Sequence, residues 1–124
     1  MNTVFVLGNG ISRQGLDLEA LSTLGPVYGC NALYRDFCPD VLVATDDPIS
    51  EAIQRSGYSL KNCFYTRKLI DDLGAKQIPE DYYKFSSGPV AVALAAESGY
   101  SKIYLIGFDM GPTQTGNFNN VYAD

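Results

Sequence analysis

The chain has 124 residues, of which 46% are hydrophobic and 19% charged, and its formal net charge at pH 7 is −5. These values predict one globular domain, and the acidic balance argues against a protein that binds nucleic acid. No apolar run approaches the ~20 residues that a membrane span needs, and no signal segment opens the chain, so we expect a cytoplasmic protein without a membrane span.

The chain begins with a predicted strand at residues 4–7, where four apolar residues follow one another. The strand ends at Gly8-Asn9-Gly10, where the backbone can take positive φ and no bulky side chain blocks a ligand. A predicted helix over residues 16–24 follows. A strand, a glycine loop and a helix in this order are typical of nucleotide-binding α/β sheets.

Short apolar runs predict four further strands, which cover residues 26–30, 41–44, 63–66 and 102–106. Helices are predicted at residues 49–55 and 90–98, and residues 67–85 are predicted as a partly helical connection. Strands that alternate with helices predict an α/β fold. We expect a Rossmann-like three-layer sandwich whose mostly parallel sheet has about five strands.

The predicted domain, a nucleotide-binding Rossmann-like unit, covers residues 1–109. Residues 110–124 hold two glycines, three asparagines and few core formers, which predicts a polar C-terminal loop or tail. Because no closing element follows, we expect this tail to be a truncated continuation. An unfinished sheet edge favours association, so we also expect a homo-oligomer.

The three cysteines are Cys30, Cys38 and Cys63. An odd count without Cys-x-x-Cys spacing predicts reduced thiols. Because Cys30 and Cys63 lie in apolar runs, we interpret both as small buried hydrophobic residues rather than reactive groups.

Small and polar residues follow several of the predicted strands, and the carboxyl ends of parallel strands line the ligand crevice of open sheets. We therefore expect these groups to converge: Gly8-Asn9-Gly10, Asn31, Thr45-Asp46 and Gly107-Phe108-Asp109. The predicted helix start at residues 86–88 would add free backbone N–H groups that suit a phosphate. Turn chemistry alone also accounts for such residues, and for Asp109 both interpretations stay open.

A dinucleotide fingerprint fits this sequence poorly. Gly8-x-Gly10 matches its first half only, because Arg13 stands where a small residue lets helix and strand approach. Asn31 replaces the acidic residue that would hold a ribose hydroxyl. These two departures make NAD and FAD unfavourable ligands.

Asp46 and Asp47 are adjacent carboxylates that could coordinate a divalent cation. An aspartate before Pro48 is more often a plain helix cap, which is the favoured interpretation. The chain has no histidine, the commonest zinc ligand and general base. We therefore expect no metal site and no cofactor.

Several motifs occur together in a defined order: Gly8-Asn9-Gly10 with Ser12, Cys30-Asn31 with Tyr34, Ser87-Gly88 with Gly99-Tyr100, and Lys102-Ile103-Tyr104-Leu105 with Gly107 and Asp109. This ordered set resembles the bacterial sialyltransferases of glycosyltransferase family 42 and related Rossmann-like proteins of unassigned function. The resemblance covers most of the chain and is weak between about residues 45 and 84. It concerns the nucleotide-binding half of that family.

The resemblance implies a sheet order of 5-1-2-3-4 and transfer of sialic acid from CMP-sialic acid without a metal. It also implies a crevice between the first and last strands. The nucleotide-binding residues it implies are Gly8, Asn9, Gly10, Ser12, Asn31, Ser87, Gly88, Gly107 and Asp109.

Departures from the family pattern concern the later part of the site. The family has an asparagine after the third strand, where this chain has Thr45-Asp46-Asp47, and a tyrosine where it has Met110-Gly111. Tyr122 can be matched to a later tyrosine only through gaps. The catalytic histidine and the lid of the family lie beyond residue 124 in order, so the catalytic residue is unknown. Without a base, which contributes ~10²–10⁴ in rate, we expect the isolated chain to be nearly inactive.

Two classes of function therefore stay open. The first is a CMP-sugar-like nucleotide-sugar-binding domain of a sialyltransferase-like glycosyltransferase that lacks its catalytic base in this chain. The alternative is a non-catalytic nucleotide-binding module or an oligomeric structural module, for which the nine tyrosines would supply interface material. Whether the chain is an enzyme stays undecided by the sequence.

Overall fold

The computed structural model describes residues 3–109 and 119–122. Within this part of the chain, one sheet of six strands forms the centre of the fold, and all neighbouring strands run parallel. The strands are β1 (Thr3–Leu7), β2 (Val27–Cys30), β3 (Val41–Val43), β4 (Phe64–Thr66), β5 (Lys76–Gln77) and β6 (Lys102–Ile106). Their order across the sheet is β5-β4-β3-β2-β1-β6.

Helical segments connect the strands. The α-helices of the described residues are α1 (Leu18–Ser22), α2 (Asp47–Arg55), α3 (Tyr58–Lys61) and α4 (Ser87–Glu97), and the 3₁₀ segments are Ile11–Arg13, Asn31–Arg35 and Glu80–Tyr82. Among these residues, we find no helix with the length and apolar character that crossing a membrane requires.

The core lies on both faces of the sheet, because alternate residues of each strand point to opposite sides. On one face, Val6 of β1 packs with Val90 of α4. On the other face, Leu7 of β1 packs with Leu21 of α1 and Ile53 of α2. Helices thus cover the two faces, and the predicted Rossmann-like α/β class is confirmed.

The predicted five-strand order, 5-1-2-3-4, does not describe this sheet, because a sixth strand, β5, pairs with β4 at one edge. Both residues of β5 are exposed and polar, so no apolar run marks the strand in the sequence. The predicted partly helical connection at residues 67–85 contains this strand and one 3₁₀ segment. Ile78 secures it by donating its N–H to the Thr66 carbonyl at 3.0 Å and by burying its side chain.

The helix boundaries also differ from prediction. The first helix is shorter, because Asp17 caps it at its start by accepting the Ala20 N–H at 3.1 Å. Helix α2 begins at Asp47, two residues before the predicted start, with Asp46 at the N-cap position. The Asp46 side chain makes no capping hydrogen bond, so only the position of the predicted cap is observed.

The chain reverses its direction across the sheet between β1 and β6. It proceeds from β1 to β5 towards one edge, and α4 then returns it to β6 on the other side of β1. β6 pairs with β1 along five residues of each strand. In open parallel sheets, such a switch point lies where ligands bind, outside the carboxyl ends of the strands.

Candidate functional site

A cleft of about 390 Å³ lies outside the carboxyl ends of β1, β2 and β6. This volume falls in the range of small-molecule sites. Its lining comes from two glycine loops, the end of β2, the start of α4 and residues 119–120: Gly8, Asn9, Gly10, Cys30, Asn31, Ser86, Gly88, Pro89, Gly107, Phe108, Asp109, Asn119 and Asn120.

The structure brings the residues of the predicted nucleotide site together. Those that line the cleft are Gly8, Asn9, Gly10, Asn31, Gly88, Gly107 and Asp109. Ser12 and Ser87 are not among the described lining residues, but they hydrogen-bond to two of them, Asp109 and Asn31, respectively. The part of all nine residues in nucleotide binding stays a prediction.

The two glycine loops, residues 8–10 and 107–109, touch each other directly. A Cβ atom on Gly8 would lie 2.4 Å from the Gly107 carbonyl oxygen, and one on Gly10 would lie 2.4 Å from Cγ of Asp109. Gly8 and Gly10 donate their N–H groups to the carbonyls of Ile106 and Gly107, both at 2.8 Å. These glycines therefore serve loop packing, and their amides are not free to bind a phosphate.

Asp109 fixes the 3₁₀ segment that directly follows the first glycine loop. Its carboxylate accepts the Ser12 N–H at 2.9 Å and the Ser12 hydroxyl at 2.5 Å. The Ser12 hydroxyl, and next to it the Ser12 amide, lower the pKa of Asp109 below its ordinary value. The carboxylate is therefore ionised at neutral pH and bridges the two loops at the wall of the cleft.

The side chains of Asn9, in the first loop, and Arg13 form a buried polar layer, and each residue is only 8% exposed. The Asn9 amide donates to the Cys30 carbonyl at 3.0 Å, and its oxygen accepts from Nη2 of Arg13 at 2.9 Å. Nε of Arg13 donates to the Gly8 carbonyl at 2.9 Å. Both ends of the Asn9 side chain are thus engaged within the protein.

Asn31 lies at the end of β2, where its side-chain amide lines the cleft. Its φ is +54°, a left-handed conformation that is uncommon outside glycine and costs on the order of 1–3 kcal/mol. Its Oδ1 atom accepts the Ser87 hydroxyl at 3.0 Å. Its NH₂ group makes no hydrogen bond within the described part of the chain, and Asn31 lines the cleft.

The start of α4 forms another wall of the cleft. Ser87 and Gly88 occupy the first helical positions, where backbone N–H groups have no partner within the helix. A Cβ atom on Gly88 would lie 2.8 Å from Cε1 of Phe108, so the Phe108 ring packs directly over the helix start. The cleft therefore combines helix-end donors with an aromatic surface.

Residues 119–122 contact the first loop, although the sequence predicted only a polar tail. Val121 donates its N–H to the Asn9 carbonyl at 2.8 Å, and Asn119 Oδ1 accepts the Ile11 N–H at 2.8 Å. Asn120 Oδ1 accepts the Tyr122 N–H at 2.8 Å. Asn119 and Asn120 have no distinguishing signal in the sequence. The rest of the predicted tail, including Met110-Gly111, lies outside the described residues.

Two ionisable side chains, Cys30 and Asp109, line the described part of the cleft. Burial raises the pKa of the Cys30 thiol to about 11, so the group is protonated and a weak nucleophile. Asp109 is the only carboxylate among the described lining residues. Asp46 lies 3.9 Å from Nη2 of Arg67, and the described residues include no group of three or more potential metal ligands.

We expect Ser87→Ala to destabilise the protein by about 1–3 kcal/mol. The Ser87 hydroxyl accepts the buried Thr45 N–H at 2.9 Å, and this donor would lose its partner. Ser86→Ala is the matched control, because Ser86 is exposed and makes no capping bond, so its effect should stay within about 0.5 kcal/mol. Urea unfolding measures the free energy of unfolding of both variants, and equal losses would contradict the hydrogen bond from Thr45 to Ser87.

Comparisons with protein-family models, curated proteins and solved structures gave no match. The resemblance to sialyltransferases therefore depends on the ordered motifs alone.

Proposed function

We propose that the cleft binds the nucleotide part of a CMP-sugar-like nucleotide-sugar. The observation that carries this proposal is Asn31, which stands in a left-handed conformation at the end of β2 with its amide oxygen fixed by Ser87. Strained backbone that the surrounding structure holds in place is concentrated at binding sites. The arrangement supports a ligand that accepts a hydrogen bond from the Asn31 NH₂ group.

The position of the cleft supports a nucleotide as the ligand. It lies at the switch point between β1 and β6, where open α/β sheets bind nucleotides. The first-turn amides of α4 can bind phosphoryl oxygens, since the start of a helix carries partial positive charge. Asn31 and Asn120 supply side-chain amides for the sugar or the base, and Phe108 supplies an aromatic surface.

The proposed role is that of the donor-binding domain of a sialyltransferase-like glycosyltransferase. The chain contains no histidine, and Asp109 is bound by Ser12. We infer binding of the donor for this chain and assign no catalytic residue to it.

A second candidate, an oligomeric structural module, is favoured by one observation. Tyr104 and Leu105 of β6 are 50% and 54% exposed, and β6 is an edge strand of the described sheet. Exposed apolar residues on an edge strand favour association. Homo-oligomerisation and a cytoplasmic location stay predictions.

Calorimetric titration with CMP, CDP, UMP and NAD tests the proposal. We expect CMP to bind more tightly than UMP or NAD. We expect Asn31→Ala to weaken CMP binding by about threefold to tenfold, the value of one lost hydrogen bond. Asn31→Gly removes the same amide while glycine adopts positive φ freely, so it should weaken binding similarly without backbone strain.

Asn62→Ala is the control for these variants, because Asn62 follows α3 and precedes β4, at the opposite end of the sheet. It should leave CMP affinity unchanged. If no nucleotide binds to the wild-type protein, the structural candidate replaces this proposal. Tight CMP binding that both Asn31 variants leave unchanged would contradict the assignment of the site.

A further inference from the structure

Arg13 is a buried cation directly behind the cleft. It is 8% exposed, and its guanidinium donates to three neutral oxygens: the Gly8 carbonyl, Asn9 Oδ1 and the Tyr122 hydroxyl, the last at 3.3 Å. The ring of Tyr122 lies 5.7 Å from its Cζ atom. A Cβ atom on Gly107 would lie 3.1 Å from Arg13 Cγ, so the side chain runs beneath both glycine loops.

No carboxylate pairs with this guanidinium within 4 Å in residues 3–109 and 119–122, where the ion pairs are Arg55–Glu51 and Arg67–Asp46. One carboxylate lies one contact further away, because Asp36 hydrogen-bonds to the Tyr122 hydroxyl that Arg13 contacts. Asp109 is bound to Ser12, the residue before Arg13 in the sequence. Arginine stays charged under all ordinary conditions. Burying such a charge without an ionic partner is costly, and an anion in the adjacent cleft would offset part of that cost.

The described part of the cleft lining contributes no basic side chain. None of its described residues is lysine or arginine, and its one carboxylate, Asp109, would repel an anion. Arg13 contacts two lining residues, Gly8 and Asn9, from behind. Charge interactions are strong across a poorly solvated layer, so Arg13 can act on a ligand that it does not touch.

We propose that Arg13 is a positioning residue that gives the cleft its preference for an anionic over a neutral ligand. This inference rests on the proposed function and adds the source of charge selectivity to it. In this role, the positive charge of the guanidinium offsets the negative charge of Asp109 and attracts the phosphate of a nucleotide. A nucleoside without phosphate gains no affinity from this charge.

Titration of CMP and of cytidine into wild type, Arg13→Met and Arg13→Lys tests the inference at constant ionic strength. We expect Arg13→Met to lower the ratio of CMP to cytidine affinity by about tenfold, as expected for the loss of one charge in a poorly solvated site. Arg13→Lys keeps the charge and should keep the ratio within about threefold of wild type. Arg55→Met is the control for net charge, because Arg55 is exposed on α2 and pairs with Glu51.

The outcomes separate this inference from the proposed function. If wild type binds neither compound, the proposed function fails and the inference fails with it. If wild type binds CMP but Arg13→Met lowers both affinities equally, Arg13 is only structural and the inference is overturned. If Arg13→Met does not fold, the wild-type protein provides the test. The inference is overturned if the ratio of CMP affinity to cytidine affinity is near one at low salt, or if added salt does not reduce that ratio.

Discussion

Gly107→Ala is expected to destabilise the protein by about 2–5 kcal/mol, combining left-handed strain with overpacking. Gly107 has φ +79°, and its added Cβ atom would lie 2.7 Å from the Gly8 carbonyl oxygen. The Gly8 carbonyl is a backbone group, and the Gly107 backbone fixes the position of the Cβ atom, so neither can rotate away. Urea unfolding with a constant m value measures this loss.

Gly99→Ala is the matched control for this variant. Gly99 has φ +90°, but a Cβ atom there would meet nothing within 4 Å. Its loss should be about 1–2 kcal/mol, the cost of left-handed backbone alone. The difference between the two variants therefore reports the contact between the loops, and an equal loss would contradict that contact.

Leu33→Ala is expected to destabilise the protein by about 2–5 kcal/mol and to weaken nucleotide binding. Leu33 is fully buried in the 3₁₀ segment that begins at Asn31, and a Cβ atom on Gly29 would lie 2.2 Å from its Cδ2 atom. The side chain therefore fixes this segment against β2. Without it, the left-handed conformation of Asn31 loses the packing that holds it.

Leu60→Ala provides the comparison, because Leu60 lies on α3 and is 59% exposed. Its effect on unfolding should stay within about 0.5 kcal/mol. CMP titration of both variants at a temperature where they are folded completes the test. If Leu33→Ala binds CMP as tightly as Leu60→Ala, the packing of this segment does not position Asn31.

The strands with apolar runs could be predicted from the sequence, because burial on both faces of a parallel sheet demands continuous hydrophobic residues. This holds for β1 and for β2, which is buried throughout. β5 could not be predicted, because its two exposed residues join the sheet through backbone hydrogen bonds. Such bonds do not depend on side-chain type.

The location of the candidate site could be predicted, but the use of its groups could not. The residues at strand ends converge because parallel strands end at one edge, as at Asn31 and Asp109. Which donors stay free depends on three-dimensional neighbours, and here the loop amides of Gly8 and Gly10 bond to β6 and its loop. The sequence shows Arg13 only as a departure from the dinucleotide fingerprint. Its position beneath both glycine loops becomes visible only in the folded structure.

The measurement that tests the central claim most directly is a backbone amide NMR titration with CMP, which reports each residue separately. We predict shift changes at Asn31, Gly88 and Phe108, around the switch-point cleft. The described chain also has a smaller cavity, about 140 Å³, between α2 and residues 68–70. Shifts confined to Gln54 and Lys68 in that cavity, or no shifts at all, would contradict nucleotide binding at the cleft.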